Sequence, residues 1–140
     1  MSDQKSDHLR FQSPPTMPPT RGYTQVVDTT APYRAVYTAG QLGFTPQGQL
    51  ASDFRAQATQ CFENLRAALA AAGADFSHVV KITNFFVNMD DLPTFFEVRD
   101  RYVNIKAPPA STAVQVSRLA VPGALFEIEA VALVPLAPAT

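Results

Sequence analysis

Apolar residues recur with two different periods along this chain. Between residues 53 and 72, Phe54, Ala58, Cys61, Phe62, Leu65, Ala68, Leu69 and Ala72 return every three or four positions. Arg55, Gln57, Gln60, Glu63, Asn64 and Arg66 fall mostly between them. That spacing predicts a helix burying one stripe, with Ser52 or Asp53 as its cap and Gly73 as its stop. From Leu125 to Val134 the period drops to two. Phe126, Ile128, Ala130, Ala132 and Val134 share one side of a strand, and Leu125, Glu127, Glu129, Val131 and Leu133 share the other. The first set suits packing beneath helices. The second is apolar at one end and acidic at the other, so that sheet face needs a cover, and a symmetric oligomer closing sheet against sheet is the simplest one.

The remaining elements follow from β-rich runs and turn residues. "YTQVV" and "AVYTAGQL", separated by "DTTAPYR", predict a hairpin-like start, and Pro46 and Gly48 mark a further turn. "HVVKITNFFV" is β-branched and aromatic and reads as a central strand. A second helix opens in "DDLPTFFEVRDRY", where Asp91 offers a cap and Pro93 fits a first turn. Phe95, Phe96, Arg99, Tyr102 and Val103 would share one side, and Glu97 would pair with Arg101 one turn on. Pro108 and Pro109 prevent a helical continuation, and strands over 110–117 and 125–134 finish the chain. The order ββ(β)αβαββ predicts an α+β fold: a two-layer domain with a mixed sheet and two helices packed on one face. That single domain spans 21–140. A polar N-terminal arm over 1–20, with prolines at 14, 15, 18 and 19, precedes it and is expected to be flexible or extended.

Composition narrows the function classes. At 140 residues, the chain has the length of one domain with room for a real core. Charged residues make up only 16% while ten are Phe, again suggesting surface hidden by self-association. Net charge is −1 and the basic residues are scattered, so nucleic acid is not an expected partner. No stretch approaches the roughly 18 apolar residues of a membrane span, and the N-terminus lacks the apolar core of a secretory signal. One cysteine excludes an internal disulfide, in keeping with a reducing, cytoplasmic compartment.

Candidate chemistry is sparse. Glu127 and Glu129 emerge about 7 Å apart on one strand face, placed either to act as acid or base or to pair with Arg118 or Lys81 across an interface. Arg118, at the end of the preceding strand, reads as an ion-pair partner or an anion clamp. The Tyr23 ring suits the core, though its hydroxyl can reach a ligand. Cys61 lies on the helix stripe and reads as packing. His8 and His78 are too far apart, with a single cysteine, to make metal spacing, so no metal is expected. Ser111 and Thr112 stand side by side at the mouth of a strand but outside any G-x-S-x-G context, and the glycines form neither a P-loop nor a dinucleotide fingerprint. Read by themselves, the residues leave the site undetermined.

The blocks "ENLRAALAAAGADFSHVVKIT" and "VSRLAVPGALFEIEAVA", with "YTAGQL" and "PPAST", make the region from about residue 23 to 135 resemble the reactive intermediate deaminase (Rid) family. The resemblance implies a chorismate-mutase-like homotrimer with small-molecule clefts between subunits. It also implies cofactor-independent hydrolysis of imines or enamines to a carbonyl product and ammonia. Glu127 would be the catalytic, water-orienting glutamate. Tyr23, Ala39, Gly40, Phe96, Ser111, Thr112 and Ala113 would line the substrate site. Four positions depart from the family pattern: Ser111 stands where the deaminase branch has its carboxylate-binding arginine, Ala39 replaces a serine, Phe96 an asparagine and Ala113 a cysteine. A hydroxyl in place of a guanidinium weakens an anion grip by about a hundredfold or more at a desolvated site. The resemblance therefore implies a hydrolase of altered scope, favouring uncharged or apolar ligands, or else a non-catalytic trimer that binds a metabolite or partner protein. The ribonuclease or translation-inhibitor activity attached to some relatives finds no basic-aromatic stripe here.

Overall fold

A computed structural model of the chain describes residues 8–136. Its longest helix, α1 (Phe54–Ala71), starts where Asp53 takes an extended backbone and its Oδ1 accepts from the Ala56 N–H at 2.8 Å. It ends at Ala72, with Gly73 at φ +71° just beyond. The predicted stripe is largely buried, though Ala68 and Ala72 stay partly open. Gln57, expected among the polar positions, is buried as well. Its Nε2 donates to the carbonyls of Ala51 and Gly123, and its Oε1 accepts from the Leu125 N–H, so every polar atom of the amide is used. That clamp pins α1 to the turn entering the last strand.

The main sheet contains β3 (Tyr33–Tyr37), β4 (Gln41–Leu42), β5 (Val79–Phe86), β6 (Ala110–Gln115) and β7 (Phe126–Pro135). The order is β3-β7-β5-β6, and β4 also pairs with β7. β7 is antiparallel to β3, β4 and β5, whereas β5 and β6 run parallel across the crossover made by α2 (Leu92–Arg99). This is the two-layer α+β architecture predicted from the sequence. Phe126, Ile128, Ala130, Ala132 and Val134 are buried under the helices, as their alternation predicted. Phe54, Phe86, Phe95 and Phe126 meet there with ring centroids 5.2–5.9 Å apart, each contact worth about 0.5–1.5 kcal/mol beyond burial. The opposite face, carrying Tyr33, Tyr37, Phe85, Val114, Glu127 and Val131, is open in the single chain, with Tyr37 76% exposed.

Three local expectations are corrected. The hairpin of 23–27 with 35–42 does not form, because β2 (Val26–Thr29) pairs instead with β1 (Leu9–Gln12) in a separate two-stranded sheet. Structure therefore begins at Leu9, inside the expected arm. Arg10 grips both oxygens of Asp28 at 2.6 and 2.8 Å and fixes this register, and His8 Nε2 donates to the Leu133 carbonyl. Residues 1–7 of that arm, like 137–140, lie outside the described residues. Asp91 makes no cap hydrogen bond; a 3-10 turn over Met89–Asp91, capped by Asn88, leads into α2. Finally, α2 stops at Arg99, so Arg101 is not carried one helical turn from Glu97, and Glu97 meets Arg55 of α1 at 2.9 Å instead.

Candidate functional site

Glu127 occupies the open sheet face, opposite Leu42 of β4 and Phe85 of β5. The short β4 carries Gly40, the residue before it, against this side chain. A Cβ placed at Gly40 would stand 1.8 Å from Glu127 Oε2, so only a glycine lets the carboxylate lie there. Glu127 is half-buried and makes no ion pair among the described residues. Burial pushes its carboxyl above the ordinary glutamate range, and the charge of Glu129 adds to that. Neither Lys81 nor Arg118 of the same chain pairs with it among the described residues. Lys81 Nζ donates to Thr112 Oγ1 at 2.5 Å, and Arg118 borders a separate hollow of about 450 Å³ formed by Val87 and the 119–125 loop. Cys61 lies beneath β7 in the core, its thiol bonded to the Phe126 carbonyl and pushed up to about 12 by burial and then by Glu127. It is a packing residue, as its place on the stripe indicated.

Ser111 and Thr112 point to opposite sides of β6. Ser111 turns towards the helix layer, where Asn84 Nδ2 donates to its Oγ and to the Thr112 carbonyl, both at 3.0 Å. Thr112 faces Lys81 on the open side, and Ala113 is exposed. Asn84 is fully buried and its Oδ1 has no partner among the described residues. The sequence reading passed over it, although an amide inside the otherwise apolar run "KITNFF" was the available signal.

Tyr23 and Phe96 meet in a hollow of about 640 Å³ together with Arg21, Arg99, Asp100 and Ile105. Thr24 anchors this corner to the entry of β6, its N–H donating to the Pro109 carbonyl and its hydroxyl to that of Pro108. Arg99, 6% exposed, donates from Nε and Nη2 to Asp100 Oδ1 at 3.0 and 2.8 Å. Its guanidinium carbon sits 4.8 Å from the centre of the Phe96 ring. Gly22 packs closely against the same group: it has φ +75°, and a Cβ there would be 2.2 Å from Nη2. Two arginines, Arg21 and Arg99, thus border the Tyr23–Phe96 hollow, the second of them paired with Asp100. Arg99 shares the helix face expected to carry Phe95 and Phe96, and the Gly22 backbone packs against its guanidinium.

The residues singled out from the sequence therefore fall into separate clusters. Gly40 and Glu127 touch, with Ala39 exposed beside them, its carbonyl accepting from Gln41. Tyr23 and Phe96 share a hollow, and Ser111 bonds Asn84. β5 lies between β7 and β6, which alone separates the Glu127 and Ser111 strands by about 10 Å. Among the described residues no three His, Cys, Asp or Glu side chains gather to hold a metal, and no helix is long and apolar enough to cross a membrane.

A family profile described as endoribonuclease L-PSP matches residues 15–134. Protein DfrA of Myxococcus xanthus is 41% identical over 113 residues, covering 79% of this chain and 84% of that protein. The human 2-iminobutanoate/2-iminopropanoate deaminase is 40% identical over 102 residues, 71% of this chain and 73% of its own length. Among solved structures, the Rid-family protein YyfB of Yersinia pestis superposes with a TM-score of 0.77 at 30% identity, covering 89% of this chain and 98% of that one. Escherichia coli TdcF, solved with bound serine, superposes with a TM-score of 0.65 at 32% identity over 87% and 93% of the two chains.

Proposed function

The chain belongs to the reactive intermediate deaminase (Rid) family, with its chorismate-mutase-like fold, and from that premise we propose that it hydrolyses imines or enamines in clefts formed where copies of itself meet. The observation that carries this reading is the Glu127 carboxyl, seated on the bare Cα of Gly40, half-buried and without a cation among the described residues. A carboxylate of raised basicity takes a proton from water as the oxygen adds to the imine carbon. That proton passes to the nitrogen to give a neutral carbinolamine, which collapses as the same carboxylate carries the hydroxyl proton to the amine and the C–N bond breaks. Carbonyl product and ammonia leave, and the balance needs water alone.

Two features support a site shared between subunits. The Glu127 cluster and the Tyr23–Phe96 cluster occupy different parts of one chain, and the sheet face bearing Glu127 is open and partly apolar. A homotrimer closed on that face would cover it and could set one chain's Glu127 against another's Tyr23. Ser111, already bonded to Asn84, offers an anion from β6 a neutral hydroxyl at most, which is the basis for an altered substrate scope. The displacement of three polar family positions by Ser111, Ala39 and Phe96 also favours a second reading, a trimer that binds a metabolite without turning it over.

One experiment separates them. Imines generated in solution from a panel of amino acids are mixed with the protein and ammonia release is followed. Release above buffer, lost in Glu127→Ala, is the result expected. Failure to accelerate release from any imine while a ligand still binds Glu127→Ala normally would overturn the enzyme reading. Sedimentation at three times the 15.2 kDa chain mass is expected alongside.

A further inference from the structure

Of the polar side chains on β5, only Asn84 is fully buried. Its Nδ2 protons both go to β6, one to the Ser111 hydroxyl oxygen and one to the Thr112 carbonyl, each at 3.0 Å. Its Oδ1 has no partner among the described residues. A buried acceptor left unpaired is destabilising, and an aliphatic side chain in the run "KITNFF" would avoid it. The amide gains nothing by turning over, because Oδ1 would then meet the Thr112 carbonyl, which only accepts. Asn84 is therefore held with its N–H towards Ser111, and Ser111 receives it.

A hydroxyl has one proton and two lone pairs. With Asn84 on a lone pair, the Ser111 proton turns away from Asn84, and it has no acceptor among the described residues. Ser111 is half-buried, and Ala113, which pairs with Asn84 across β5 and β6, is small and exposed. Lys81 is turned from this spot, since it bonds Thr112 on the other face of β6. What this part of β6 presents is one neutral O–H donor, its direction set from behind.

We infer that Asn84 is a positioning residue that fixes Ser111 as a hydrogen-bond donor, and that the site takes a neutral 2-oxo amide, or its imine, in preference to the corresponding acid. One hydroxyl goes far towards replacing the hydration of a neutral carbonyl oxygen and falls well short for a carboxylate. The inference rests on the reading above for the place of Ser111 in the cleft, and it narrows the altered scope to one class. It does not depend on turnover.

The test is binding to the full chain, read by titration calorimetry with chemical shifts to place the ligand. The probes are 2-oxobutanamide and 2-oxobutanoate, which differ in an amide against a carboxylate. The amide is expected to bind about tenfold or more tighter. Ser111→Val should abolish that preference, and Ser111→Thr, with the same shape and a hydroxyl, should keep it. Asn84→Leu should weaken 2-oxobutanamide binding about two- to tenfold, the size of one net hydrogen bond. In the Ser111→Val background the same substitution should change binding no further, whereas a merely structural residue would act alike in both backgrounds. If Asn84→Leu fails to fold, the side-chain N–H resonances of Asn84 decide: they should move when 2-oxobutanamide binds the unmodified chain and stay still in Ser111→Val. Tighter binding of the acid, binding of neither probe, equal losses in Ser111→Thr and Ser111→Val, additive effects in the double variant, or Asn84 resonances indifferent to the ligand would each overturn the inference. Ammonia release from imines together with a preference for the acid would sink this inference alone. Preference for the amide without ammonia release from any imine would sink the enzymatic reading alone.

Discussion

Gly22 and Gly40 each lie beneath a charged side chain, and the two contacts are built differently. Under Arg99, Gly22 takes a left-handed backbone, and the charge above it is paired with Asp100 and stacked on Phe96. Under Glu127, Gly40 needs no unusual backbone; only its missing Cβ matters, and the charge above it has no counterion among the described residues. The first contact is braced from several sides. The second leaves a carboxyl whose ionised form is held at a disadvantage, as a proton acceptor must be if it is to take a proton from water near neutral pH. A glycine under a satisfied charge serves packing first, whereas one under an unsatisfied charge keeps a reactive group in place.

Four measurements would break or sharpen that contrast. The largest effect is expected from Glu127→Gln, which keeps shape and removes the base: ammonia release should fall by about 10²–10⁴-fold, and an unchanged rate would remove Glu127 from the chemistry. Gly40→Ala comes next. Its backbone tolerates alanine, but the new methyl would push the carboxylate aside, lowering turnover by about a hundredfold with little change in melting temperature. Gly22→Ala should show the reverse pattern, a stability loss of about 1–3 kcal/mol in thermal unfolding from left-handed strain and the clash with Arg99. Comparable melting of the two glycine variants would erase the distinction drawn here.

The smallest effect lies in pH dependence. Because the folded chain holds the Glu127 proton more tightly than the unfolded chain does, folded stability should decline as pH rises from the ordinary glutamate value through the raised one. Activity, which needs the ionised form, should climb across the same interval. Glu127→Gln should flatten the stability decline, and melting curves of both proteins between pH 4 and about 8 would show it. A steeper decline in the variant would contradict the assigned direction.

Much of the fold was legible because burial imposes period and caps impose ends. The stripe of α1, the cap at Asp53 and the alternation of β7 all appear where the residues placed them. Pairing was harder to read. The β-rich run at 23–27 looked like half of a hairpin, yet its partner is the upstream strand Leu9–Gln12, chosen by Arg10 and Asp28 and by the burial of Leu9. At the candidate site, residue types were readable but directions were not. Ser111 and Thr112 are neighbours that face opposite layers, and Arg99 borders the Tyr23 hollow with the Gly22 backbone packed against it. Gln57 and Asn84 carried the polarity of surface residues into the core, where what they bond is decided by segments distant in sequence, turns for Gln57 and β6 for Asn84.

The placement of β7 has a consequence for biosynthesis. Among the described strands this one is made last, yet it stands between β3 and β5, so during translation those two have no mutual contact to settle into. Until residues 126–135 clear the ribosome, the nascent chain can assemble little beyond α1, the β5–α2–β6 crossover and the small N-terminal ribbon. The apolar edges of β3 and β5 then stay unpaired in the crowded cell, which makes a stall late in the message more hazardous than an early one.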